Sequence, residues 1–190
     1  INTHPSFGIL QPDLPWQWLP GFVAVAATQD DTTVTFSSNA YTLGGDVAAV
    51  APGGSRDITL NRGDVVQLLS RTHDGGTNTD LCETLGGRGG DAEGSPTCFD
   101  DAGGDLTGSV VTADADVAVW AGHTCSFMPV DSYACDHLEE MMFPRATLGD
   151  LLVMTAPDHP SRSGQAPAVY RVMSAIDNNF ITFTPSTVAF

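Results

Sequence analysis

The sequence predicts an all-β fold, a sandwich-like antiparallel β-module with one short helix, and three observations predict it. Short β-rich runs alternate with polar turns along most of the chain. The turns are built from Asp, Asn and Gly, as at Gln29-Asp30-Asp31, Asn61-Arg62-Gly63-Asp64 and Asp114-Ala115-Asp116. Helical periodicity is confined to one short stretch near residue 140. At 190 residues the chain is long enough to bury a core, and 42% hydrophobic content is that of a folded protein.

Taken in order, Ile1 to Pro20 is an arm with Pro5, Pro12, Pro15 and Pro20 around Trp16 and Trp18. Prolines forbid a regular helix there, so the arm is expected to be extended and packed by its tryptophans. Three strand-turn-strand units follow, each expected to be a hairpin: Phe22 to Thr28 with Thr32 to Phe36, Asp57 to Leu60 with Val65 to Ser70, and Ser109 to Ala113 with Val117 to Gly122. Between the last two lies Thr72 to Gly104, rich in Gly, Asp and Thr and too long for a hairpin loop. It reads as a surface insertion, with a binding loop as the functional alternative.

The one helical candidate is Asp136 to Met142, apolar at Leu138, Met141 and Met142 and stopped by Pro144. A strand at Leu151 to Ala156, a polar loop and a final hairpin from Val169 to Phe183 complete the order. That hairpin repeats the first. Val25 to Phe36 reads VAATQDDTTVTF and Val172 to Phe183 reads VMSAIDNNFITF, sharing Val25/Val172, Asp30/Asp177, Thr35/Thr182 and Phe36/Phe183 at an offset of 147. The matched unit suggests a duplicated β-module whose second copy is incomplete. The expected organisation is an arm over 1–20, a β-rich module over 21–168 and the start of a repeat-like unit over 169–190.

Charge removes several functions. Nineteen Asp and four Glu face seven Arg and no Lys, for a formal charge of −16. Nucleic acid is a poor partner, because neutralising phosphates needs clustered cations. Schiff-base lysines, the P-loop lysine and lysine isopeptide cross-links are excluded outright. The acidity suits solubility in a salty or extracellular setting. The sharper alternative is Ca²⁺ in the Asp-rich loops, at Asp30-Asp31, Asp100-Asp101 or Asp114/Asp116, although none has EF-hand spacing. No apolar run approaches the roughly 20 residues needed to span a bilayer, so direct membrane insertion is not expected. No signal-peptide pattern opens the chain, which reads as a processed protein or a fragment.

Cys82, Cys98, Cys125 and Cys135 form two locally close pairs, with fifteen and nine residues between partners. Of the three connectivities, 82–98 with 125–135 closes the shortest loops. Around the second pair, His123-Thr124-Cys125 and Cys135-Asp136-His137 bring two His and two Cys together, the composition of a zinc site. His123 and His137, with Asp136 and Glu140, are the candidate metal ligands. Structural zinc sites, however, usually place two to four residues between paired ligands. The alternative is a Cys125–Cys135 disulfide, favoured by the oxidising compartment that two cysteine pairs imply. A cysteine nucleophile would need one of these thiols free. No G-x-S-x-G, H-E-x-x-H or Walker A pattern is present, and no catalytic residue is assigned. Carboxylates at the start of a short helix are accounted for by its dipole.

Five segments carry a family resemblance: GFVAVAATQDDTTVTF (Gly21 to Phe36), LNRGDVVQLLS (Leu60 to Ser70), DLTGSVVTADADVAVWAGHTC (Asp105 to Cys125), CDHLEEMMFPRATLGDLLVMTAP (Cys135 to Pro157) and YRVMSAIDNNFITF (Tyr170 to Phe183). In this order they resemble the N-terminal domain family of IgGFc-binding protein, with GHxC and CDHLEE as its most specific marks. The Thr72 to Gly104 insertion with its extra cysteine pair has no place assigned in the family pattern, and Met141 stands where the family usually has Gln. A Lys-free, Asp-rich chain looks like a bacterial surface-protein relative. The resemblance implies a secreted or surface β-rich adhesion or binding domain without catalytic activity.

The expected function is therefore an extracellular or cell-surface, non-enzymatic adhesion or binding module, secreted or lipoprotein-anchored. Its expected partners are proteins or glycans of the cell surface or matrix, with self-assembly into an extracellular polymer as an alternative. A metal-dependent hydrolytic domain using His123 and His137 is the competing class.

Overall fold

The computed structural model describes residues 6–9, 17–71, 97–100, 104–126, 135–155 and 170–184. The chain divides into two compact units, Ile1–Phe143 and Pro144–Phe190. Among the described residues the first holds ten strands: β1 Ser6–Ile9, β2 Gln17–Leu19, β3 Gly21–Ala27, β4 Thr32–Ser37, β5 Ser55–Leu60, β6 Val65–Leu69, β7 Thr97–Asp100, β8 Val110–Ala113, β9 Val117–Ser126 and β10 Asp136–Met141. They form three antiparallel sheets, ordered β2-β1-β7, β10-β9-β3-β6 and β5-β4-β8.

Alternation in the sequence sets which side chains turn inward. Val23, Val25 and Ala27 of β3 are buried, as are Thr32, Val34 and Phe36 of β4, each set at every second position. One buried cluster unites Val23, Val25, Leu68 and Ala121 of the four-stranded sheet with Val34, Phe36 and Leu60 of the three-stranded β5-β4-β8 sheet. The two sheets thus pack face to face as a β-sandwich, as expected from the sequence.

The three expected hairpins take another form. β3 and β4, β5 and β6, and β8 and β9 never pair with each other, because each pair splits between the two facing sheets. The connections are arches across the core. Alternation looks the same in both cases, since an arch and a hairpin each present one apolar face inward. What separates them here is the end of the sandwich, where the three turns bond to one another. Ala27 N–H donates to the Asp64 carbonyl (3.1 Å), Gly63 N–H to the Ala27 carbonyl (2.9 Å) and Asp114 N–H to the Thr33 carbonyl (3.2 Å).

At the other end the long β4–β5 connection closes the core. Thr42 N–H donates to the Val50 carbonyl, and the Thr42 hydroxyl accepts from Val50 N–H (2.8 Å). Ala40, Val50 and Leu106 are buried there, and the Arg71 guanidinium lies 4.9 Å over the Tyr41 ring.

The N-terminal arm and the insertion also meet. β1 pairs with β2 on one side and with β7 on the other, which puts Gly8 opposite Cys98. The surface insertion expected over Thr72 to Gly104 therefore contributes a strand to a sheet with the arm. Residues 72–96, with Cys82 and the expected 82–98 bridge, lie outside the described residues.

The expected helix over Asp136 to Met142 is strand β10, paired with β9 from Asp136↔Ser126 to Met141↔Trp120. A helix of seven residues is marginal alone, whereas the Cys125–Cys135 cross-link delivers this segment to an open strand edge. Its carboxylates are the exposed charges of an edge strand.

Among the described residues the second unit contains one 3₁₀ turn, Arg145–Thr147, whose Thr147 hydroxyl donates to the Pro144 carbonyl (2.7 Å). The strand expected from Leu151 and the hairpin expected to end at Phe183 make no ladder among the described residues. Residues from both stretches instead border an open groove of about 260 Å³, among them Leu151, Met154, Val172, Phe180 and Ile181, and the Tyr170 hydroxyl donates to the Thr155 carbonyl.

Candidate functional site

Residues 122–126 and 135–140, from the segment that carries the densest set of reactive side chains, form the β9–β10 corner of the four-stranded sheet. β9 is its longest strand at ten residues and pairs along its length with β3. Gly122 stands between Phe22 of β3 and Glu139 of β10. A Cβ there would lie 2.0 Å from the Leu138 carbonyl oxygen and 2.9 Å from Cζ of Phe22. Only glycine lets the Phe22 ring cross β9 and β10 approach this closely. Phe22 is 4% exposed, and its ring stacks on His137, with centroids 5.8 Å apart and planes 14° apart. An aromatic lying across a sheet glycine shields the backbone that the glycine leaves bare.

His123 points the other way. It pairs with Gly21 and Leu138, on the face opposite Phe22, and is fully buried. Cys125 N–H donates to His123 Nδ1 (3.1 Å). That nitrogen must offer its lone pair, so the proton of the neutral ring sits on Nε2. Cys125 and Cys135 are joined with their Cα atoms 5.1 Å apart. The register shifts beside this bridge, so that Thr124 and Cys125 oppose His137 alone. His137 Nε2 lies 3.4 Å from Glu139 Oε2 on the solvent side.

These positions decide what the expected metal set can do. His123 and His137 occupy opposite faces of one sheet and cannot converge on an ion. Asp136 is exposed beyond the bulge opposite Ser126, and Glu140 is exposed opposite Ala121. Among the described residues no group of three or more His, Cys, Asp or Glu side chains could hold a metal. None of the described cysteines is free, and Cys98 is placed in β7.

Asp30 and Asp114, one from each of two Asp pairs that suggested Ca²⁺, accept backbone donors at turns, as does Asp64. Asp30 Oδ1 accepts from Arg62 N–H (3.0 Å), Asp64 Oδ2 from Asn61 N–H (2.8 Å) and Asp114 Oδ1 from Thr33 N–H (2.8 Å). Each carboxylate ties off a backbone donor at the arch end. Asp100 and Asp101 have no described side chains.

The outer faces of the two sheets differ in kind. On β5-β4-β8, Thr33, Thr35, Ser37, Ser55, Thr59 and Thr112 turn outward around Asp57, which accepts from the Thr35 hydroxyl (2.7 Å). On β10-β9-β3-β6 the outward row Gln67, Ala24, Trp120, Met141 is followed by the row Val65, Ala26, Ala118. Val65 is 62% and Met141 49% exposed. This apolar face was missed in the sequence, although it left a mark there. Val117 to Ala121 is apolar at every position, where a half-solvated strand would alternate.

No helix among the described residues is long and apolar enough to cross a membrane. No curated protein and no solved structure matches the chain. The family model described as IgGFc binding protein matches residues 14–190, nearly the whole length, in line with the GHxC and CDHLEE marks. The chain belongs to the IgGFc-binding protein family.

Proposed function

We propose that this protein is an extracellular, non-enzymatic binding module that recognises a protein partner through the outer face of the β10-β9-β3-β6 sheet. The observation that carries the reading is how the reactive residues of the Gly122 to Glu140 segment are used. Gly122 makes room for a ring, His123 is a buried acceptor, Cys125 and Cys135 are cross-linked, and His137 is stacked. Each has a structural role that a nucleophile or general base would have to abandon. Family membership supports a binding role and a surface or extracellular setting. The apolar rows around Trp120 and Met141 support the place, because exposed apolar sheet faces mark interaction surfaces, with aromatic and Met side chains enriched at their centres.

The test is an array of purified extracellular proteins and glycans probed with the full chain. Saturable binding to a protein, weakened at least tenfold by Trp120→Ser or Met141→Asp with the melting temperature held, is expected. Glycan-only binding, or protein binding indifferent to both substitutions, would sink the assignment.

A further inference from the structure

Beyond that binding role, the second unit carries a copy of the arch that begins the sandwich. The 147-residue offset relating Val25–Phe36 to Val172–Phe183 places Asn178 on Asp31. Asp31 has φ 55° and Asn178 φ 56°, and among the described residues these are the two non-glycine positions in the left-handed region. The turns match throughout, a two-residue bend followed by a two-residue turn at 28–31 and again at 175–178. Sequence identity and an uncommon backbone conformation thus agree on one register.

The equivalence says what the flanks of the second arch are made for. Val25, Val34 and Phe36 lie in the sandwich core at 1%, 0% and 0% exposure. Their counterparts are Val172, Ile181 and Phe183, and the last two are 50% and 66% exposed. In the first copy, β3 is flanked by β9 and β6, and β4 by β5 and β8. In the second, neither flank has a strand beside it among the described residues. Among the described residues Ile181 and Phe183 thus have core identity without burial, and Val172 is half-buried at the groove.

Charge points to what covers them. Residues 144–190 contain Arg145, Arg162 and Arg171 against Asp150, Asp158 and Asp177, which cancel. The whole formal charge of −16 therefore resides in residues 1–143. Repulsion between two copies of so acidic a chain is least where they meet through the neutral second unit. We infer that the 170–184 arch is a self-association site, in which the flanks of one arch pair antiparallel with the same flanks of a second copy. Such pairing is two-fold and closes on itself. Each flank gains a strand neighbour, and Val172, Ile181 and Phe183 of both copies become the centre of a small two-layer core.

The test is light scattering of the full chain over a dilution series, with hydrogen exchange at both ends of the series. A dimer is expected at high concentration, with amides of 172–174 and 180–183 exchanging about tenfold more slowly than in the dilute sample. Raising the salt should favour the dimer, because repulsion between the acidic units is screened. Ile181→Asp with Phe183→Asp should return the chain to monomer, whereas Val110→Asp, an exposed apolar site of the first unit, should not. A chain monomeric at every concentration overturns the inference, whether its 170–184 amides are protected or open. So does a dimer indifferent to the Ile181 and Phe183 changes. Loss of partner binding on the Trp120 face leaves these readouts untouched, so the two proposals fail separately.

Discussion

Replacing Gly122 by alanine probes the geometry of the β9–β10 corner most directly. The added methyl would sit 2.0 Å from the Leu138 carbonyl oxygen, 2.9 Å from the Leu138 carbonyl carbon and 2.9 Å from Phe22 Cζ. The ring contact is the softer one, although the stack on His137 limits how far Phe22 can turn. The Leu138 contact is with the main chain of β10, pinned at one end by the 125–135 bridge and beyond it by the Glu139↔Gly122, Glu140↔Ala121 and Met141↔Trp120 pairs. Overpacking costs about 1–3 kcal/mol, and prising β10 away weakens ladder hydrogen bonds worth about 1 kcal/mol each. Together these give a loss of about 3 kcal/mol, or about 6–12 °C in melting temperature for a chain of this size. Thermal melts followed by circular dichroism read it. Phe22→Leu removes the ring contact and leaves the carbonyl clash, so Gly122→Ala should remain destabilising in that background. A melting temperature within about 1 °C of wild type would refute the close approach of β10. Complete rescue by Phe22→Leu would move the cause from the strand to the ring.

Three further outcomes follow from the same corner and the arch end. Replacing Cys125 and Cys135 together by serine removes a cross-link of sequence separation 10, which the loop-entropy relation values at about 3 kcal/mol; urea unfolding should show a lower midpoint, and an unchanged midpoint would deny the staple a stabilising role. His123→Leu strands the Cys125 N–H without an acceptor and should cost about 1–3 kcal/mol, whereas His123→Asn, whose amide oxygen can accept, should recover part of it; equal losses in calorimetry would discount the Nδ1 contact. Asp114→Ala frees the Thr33 N–H and should cost about 1 kcal/mol with Asp114→Asn milder, and equal stability of wild type and the alanine variant would show that solvent replaces the carboxylate without loss.

The sandwich was legible because burial of one face forces a period of two, and the buried set Val23, Val25, Val34 and Phe36 is the alternating set of the sequence. Its connectivity was not legible. Alternation fixes which side chains face the core and leaves open whether the next strand lies beside its predecessor or across from it. That choice depends on long-range bonds such as Arg62 N–H to Asp30, from a turn 32 residues away. The strand over Asp136 to Met141 was hidden for a related reason. Leu138, Met141 and Met142 suit a helix as well as a strand, and the deciding partner, β9, is brought alongside by a covalent bridge. At the candidate site the disulfide was foreseen. The separation of His123 from His137 was not, since proximity in sequence says nothing about faces when a bulge lies between two strands.

The two proposed surfaces make opposite demands on their electrostatics. The row of Trp120 and Met141 is edged by β10, whose exposed Glu139 turns to that face while Glu140, opposite Ala121, is exposed on the other and Asp136 lies beyond the bulge, within a unit that carries the full −16. A partner for that face must match an apolar centre with a basic rim, and its approach is accelerated by the acidic field. Added salt screens this attraction and slows association there. The 170–184 arch belongs to a neutral segment, where no field assists and the only long-range force between copies is repulsion between their acidic units. Salt removes that repulsion. One titration of ionic strength therefore moves the two equilibria in opposite directions, and a chain whose partner binding and self-association both weakened with salt would be using the acidic unit for both.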